Sequence, residues 1–188
     1  MASASVKPVD VNGLPHHLFE RVRVIRNAPV GTSGDFVLYW MHHAVRSHEN
    51  PALDTALYLD TQLKVPVLVY QGLGGRHPFN SDRHHTFQLE GARDVEQQFA
   101  EWGLSFAFHL ACHLEGADFR GSCLALLADQ SALVITEEMP VDPTRQTLES
   151  LTARTTTGII AVDTACILPM QLVGRAYTRA FQYRDQTR

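Results

Sequence analysis

Short apolar runs alternate along the chain with longer stretches whose apolar residues recur every three to four positions. Phe36–Trp40 is continuous and rich in β-formers, which reads as a strand buried on both faces. Val65–Tyr70, Ser105–Leu110, Ala132–Ile135 and Gly158–Val162 read the same way. Between the first two runs, Leu53, Ala56, Leu57, Leu59 and Leu63 form one helical face. Asn50 stands as its cap and Pro51 at its first position. The longest periodic segment runs from Ser81 to Trp102, with Phe87, Gly91, Val95, Phe99 and Trp102 as its predicted buried face and Gly103 as its stop. Two further helices are predicted over Phe119–Asp129 and Pro143–Ala153, the second capped by Asp142.

Strand and helix thus alternate four times and the series closes on a strand. Crossovers through helices demand a parallel sheet. The predicted fold is a doubly wound, Rossmann-like α/β domain: five parallel strands with helices on both faces. Ligands of such sheets bind beyond the carboxyl ends of the strands, near the point where strand order reverses. The segments at that edge are 41–50, 71–80, 111–118 and 136–142. Residues 1–20 are small, polar and aperiodic and read as a flexible N-terminal arm. Val22 and Val24 alternate with Arg21, Arg23 and Arg26 as a short extended segment. The α/β domain spans 21–170, and 171–188 is a polar trailing segment rich in Arg and Gln.

The chain has 188 residues, 45% of them hydrophobic and 19% charged, which excludes a disordered or collagen-like chain. A net charge of -4 argues against non-specific nucleic-acid binding by this chain alone. No apolar run approaches the length of a membrane span. Cys112, Cys123 and Cys166 lack metal-type spacing and cannot all pair, which fits a reducing cytoplasm.

Several motifs hint at chemistry without establishing it. His16-His17, His42-His43 and His84-His85 are adjacent pairs whose rings point apart, so no metal is expected. Gly72-Leu73-Gly74-Gly75 lacks the Lys-Ser/Thr end of a phosphate loop. Glu137-Glu138 closes the fourth predicted strand, with nothing in the sequence to fix its like charges, and reads as solvated. Ser33, Ser81 and Ser131 sit in no nucleophile context, and no catalytic residue is assigned.

Tyr39-Trp40-Met41, Arg46 and Asn50-Pro51-Ala52-Leu53 together resemble the opening strand and helix of DNA photolyases, particularly class II and related short photolyases. The lead-in Arg21-Val22-Arg23, Asn27, Pro29-Val30, Gly34 and Val37-Leu38 is similar. Ser81-Asp82-Arg83-His84-His85 with Glu90-Gly91-Ala92-Arg93, and Val162-Asp163 with Leu168-Pro169, extend the match collinearly from about Arg21 to Pro169. The chain departs from the family at His42, where Gln is frequent. It departs again at Thr136–Pro140, where class II members carry an Asp and a nearby Arg, and at Ala165-Cys166, where a His-Asn pair is usual.

The resemblance implies the N-terminal α/β domain of an enzyme or cryptochrome of that family. Photolyases repair ultraviolet-made pyrimidine dimers by light-driven electron transfer from reduced FAD. Their N-terminal domain can hold a light-harvesting antenna, an 8-hydroxy-5-deazaflavin, a methenyltetrahydrofolate or FMN. FAD and the damaged DNA would belong to a C-terminal helical half absent from this chain, its expected partner, with 171–188 starting the interdomain linker. Trp40, Met41, His43 and Met139 are the candidate slot for an antenna ring; Arg46, Arg76 and Glu137 are its candidate anchors. Two other readings stand beside this one. The domain is a ligand-free docking module that meets its partner through Trp102 or Tyr177–Tyr183, or it is an independent nucleotide-binding α/β protein.

Overall fold

The computed structural model describes residues 9–27, 34–74, 81–110, 119–142 and 144–187. Six strands build the sheet: β1 Val22–Arg26, β2 Val37–Trp40, β3 Val67–Leu73, β4 Ser105–Leu110, β5 Leu133–Glu137 and β6 Ile159–Val162. Their order is β1-β6-β5-β2-β3-β4. The last five are mutually parallel, and β1 runs antiparallel to β6. The class is the predicted α/β one, with a sixth strand added. Val22 and Val24 alternate with Arg because β1 is an edge strand; its charged residues discourage further pairing there.

Helices cover both faces. On one lie α1 (His16–Phe19), α2 (Pro51–Leu63) and α3 (Asp82–Glu101). Their apolar residues close over Val37, Tyr39, Met41, Val67, Val69, Ile135 and Ile160. On the other, α4 (Phe119–Gln130) and α5 (Thr144–Arg154) pack on Leu38, Trp40, Tyr70, Val134 and Ala161. Central β2 is buried on both faces along its whole length, as its unbroken apolar run predicts. Each such aliphatic side chain contributes about 1.5–3 kcal/mol by leaving water.

Asn50 caps α2 by accepting from the amides of Ala52 and Leu53, both at 3.2 Å. Ser81 caps α3 through the His84 amide. Gly103, at φ 69°, turns the chain out of α3. Short helices α6 (Met170–Val173) and α7 (Ala180–Gln186) follow β6.

Two expectations need correction. Of the predicted buried face of α3, Val95 and Phe99 reach the core together with Ala92, but Phe87 is 73% exposed and Trp102 49%. The period is right and the reach is wrong. A 20-residue helix spans about 30 Å and a six-residue strand about 20 Å, so much of α3 overhangs the sheet. The N-terminal arm is also not loose over its described part. Leu14 and Leu18 are buried, and the Tyr58 hydroxyl donates to the Gly13 carbonyl.

Candidate functional site

Chain order runs outward from β2 in two directions, to β3 and β4 on one side and to β5 and β6 on the other. The reversal lies between β2 and β5, and the carboxyl ends there belong to Trp40 and Glu137.

Glu137 is not a solvated charge. It is 1% exposed and fully engaged. Its Oε1 accepts from the Tyr39 hydroxyl at 2.6 Å and the His42 amide at 3.4 Å. Its Oε2 accepts from the amides of His43 at 2.6 Å and Ala44 at 2.8 Å. Successive N–H groups converging on one point form an anion-binding concavity. Here the chain's own carboxylate fills it, so a phosphate has no free donors at that spot. Nothing in the sequence marks this pairing, because the donors are main-chain groups 93–95 residues away.

Polar neighbours complete the network. The Asn50 side chain, fully buried, donates to the carbonyls of Ala44 and Arg46 at 3.0 Å and meets Tyr39 Oη. Burial and the adjacent Glu137 carboxylate push the Tyr39 hydroxyl well above its ordinary range. His42 Nε2 lies 3.1 Å from Thr136 Oγ1, whose own proton goes to the Trp40 carbonyl. The neutral ring therefore carries its proton on Nε2. Burial lowers the His42 pKa from 6.5 to about 4, against the pull of Glu137.

The other candidate residues are spread around this network. Met41 has no exposed surface and belongs to the core. Trp40 is 7% exposed and its ring lies 4.7 Å from that of His42. His43 is exposed and its Nε2 meets Thr144 Oγ1 at 2.8 Å. Arg46 is exposed and donates to the carbonyls of Glu49 and Thr164. Met139 is half-buried just past β5. Arg76 lies outside the described residues. His43, Arg46 and Met139 thus have accessible surface near the β2–β5 crevice, while Met41 and Glu137 are held inside. Of the docking residues, Trp102 stacks edge-on against His48, and Arg175 lies 4.7 Å over the Tyr177 ring.

Two further polar residues, each named in the sequence only as part of a motif or segment, are buried near this edge. Asp163, at the end of β6, is buried and accepts from the amides of Ala165, Cys166 and Met170. Gln71 is 6% exposed, beyond Val69 on the same face of β3, and its buried Oε1 has no hydrogen-bond partner. A polar group inside an apolar run is the signal that would have found it. Among the described residues no group of His, Cys, Asp or Glu could hold a metal ion. No helix among them is long and apolar enough to cross a membrane.

No protein-family model matches the chain. Over 152 residues it is 29% identical to the deoxyribodipyrimidine photo-lyase of Methanothermobacter thermautotrophicus, a match covering 81% of this chain and 33% of that protein. The chain thus spans about a third of that relative's length. Among solved structures it is similar to a universal stress protein of Archaeoglobus fulgidus, at 13% identity and TM-score 0.47, over 68% of this chain and 98% of that one. A universal stress protein of Pseudomonas aeruginosa matches at 12% identity and TM-score 0.49, over 78% and 53%. The sequence likeness supports a photolyase-related α/β domain.

Proposed function

We infer that this chain is the N-terminal domain of a photolyase-like protein and that it holds a planar light-harvesting chromophore at the carboxyl edge of its sheet. The collinear sequence likeness supports the family reading. The observation that carries the binding reading is Gln71. A buried amide oxygen without a donor costs about 1–3 kcal/mol, and a ligand N–H at that edge would remove the cost. Deazaflavin, flavin and pterin rings all carry such an N–H on an otherwise apolar body, the kind of ligand that apolar pockets with few polar anchors take. Met139 offers accessible apolar surface near the β2–β5 crevice and the largely buried Trp40 little more, while His43 and Arg46 offer donors. Arg76 belongs to the proposal on sequence grounds alone. Light-driven repair of pyrimidine dimers, with FAD and DNA on a helical partner, is the activity proposed for the whole protein.

The independent nucleotide-binding reading is less well supported, because Glu137 already occupies the amide concavity at the β2–β5 crevice. Absorption spectra of the purified chain, alone and after incubation with 8-hydroxy-5-deazaflavin, methenyltetrahydrofolate and FMN, test the proposal. A shifted band that stays with the protein through gel filtration is expected for one of the three. Featureless spectra after all three would overturn it.

A further inference from the structure

The two edges of the sheet are built differently. β1 carries Arg23 and Arg26, and Arg23 Nε donates to Glu138 at 2.6 Å. Charged side chains on an edge strand discourage a further strand from pairing there. β4, at the other edge, reads Ser-Phe-Ala-Phe-His-Leu, without Asp, Glu, Lys, Arg or Pro. Among the described residues its only strand neighbour is β3. None of its residues is fully buried, although Phe106 and Ala107 pack against the cores of the two faces. An edge of this kind presents a row of backbone N–H and C=O groups to any strand that can approach it.

The side-chain pattern decides which strand that is. Alternation puts Phe106, Phe108 and Leu110 on the α3 face, where the Phe106 ring lies 5.7 Å from that of Phe99. Ser105, Ala107 and His109 take the other face, where His109 Nδ1 meets the Tyr70 hydroxyl at 3.0 Å. Leu110 is 51% exposed. In an antiparallel pair, directly opposed residues share a face. Two copies of β4 related by a twofold axis at Phe108 obey that rule. Phe108 then opposes Phe108, Phe106 opposes Leu110, and Ala107 opposes His109. Every pair on the α3 face is apolar, and no acid or arginine is brought against its like. Pairing β4 with β1 of another copy would set it against Arg23 and Arg26, and would leave an open chain of molecules where the twofold pair closes.

We propose that β4 is an interface for a second copy of this chain, the two strands pairing antiparallel about Phe108 and joining the two sheets into one. This interface lies along the lateral edge of the sheet and is independent of the chromophore reading, and neither needs the other.

Sedimentation velocity of the full chain from about 1 to 200 µM tests the interface. A concentration-dependent step from 21.0 kDa to twice that mass is expected. Leu110→Lys, at an exposed strand end, should keep its melting temperature and weaken the dimer at least about tenfold. Ile167→Lys, which removes a 99% exposed apolar side chain elsewhere, should leave the dimer unchanged. Phe108→Cys reports the register: opposed Cα atoms lie about 4.5–5.5 Å apart, within disulfide reach, so mild oxidation should link residue 108 to its copy, as read by peptide mass. A monomer at every concentration would overturn the proposal. So would a dimer unweakened by Leu110→Lys, one weakened equally by Ile167→Lys, or a dimeric Phe108→Cys variant that forms no such link.

Discussion

Glu137 and Gln71 stand on either side of β2, at the carboxyl end of the sheet and on the same face, and both are buried. They are opposite in how they are satisfied. The Glu137 oxygens accept from a hydroxyl and three amides, whereas Gln71 Oε1 accepts from nothing. The pair teaches that charge and position do not by themselves mark a ligand group. A saturated carboxylate holds the β2–α2 loop in place; an unspent amide oxygen is where an incoming donor gains most.

The largest effect should come from Glu137→Ala. It strands three main-chain amides, that of Ala44 buried, and the Tyr39 hydroxyl, and should cost about 3–5 kcal/mol in urea unfolding. A loss under about 1 kcal/mol would mean that water replaces the carboxylate and the site is open.

Acid should weaken the same region. The folded His42 pKa is depressed to about 4 from 6.5, so the folded state resists a proton that the unfolded chain accepts. The corresponding stability is present above pH 6.5 and is lost as pH falls toward 4, by on the order of 3 kcal/mol. Melting curves across that window should show the slope in the native chain, and a flatter one in His42→Gln. Equal slopes would place the titration elsewhere.

Asn50→Ala removes a helix cap and a bridge between the Ala44 and Arg46 carbonyls, at a cost of about 2 kcal/mol. Gln71→Leu should do the least, from neutral to about 1 kcal/mol stabilising, because an apolar group of similar size replaces an unpaired polar one. A loss as large as that of Asn50→Ala would show that Gln71 has a structural partner, and would remove the contrast with Glu137.

The sheet was legible because its central strands are unbroken apolar runs. Val37–Trp40 is buried on both faces, and the cap residues Asn50 and Ser81 stand immediately before α2 and α3. The edge strand was readable only as an extended segment, since a half-exposed strand alternates with arginines and its antiparallel partner lies about 140 residues away. The overhang of α3 was hidden because periodicity reports which face is apolar, and not how far the sheet beneath it extends. The site was the least legible part. Glu137 looks like one of two surface acids until the fold brings His42–Ala44 beside it, and Gln71 looks like a strand residue until its missing partner is seen. The Arg21 clamp on the carbonyls of Asp163, Cys166 and Ile167 is equally invisible in sequence.

The most direct measurement is the affinity of whichever of the three chromophores binds, compared between the native chain, Gln71→Leu and Glu137→Gln, each shown to be folded. The account predicts a loss of about tenfold or more in Gln71→Leu, with the fold intact, and little change in a folded Glu137→Gln. Unchanged affinity in Gln71→Leu, or a loss confined to Glu137→Gln, would contradict it and take Gln71 out of the binding site.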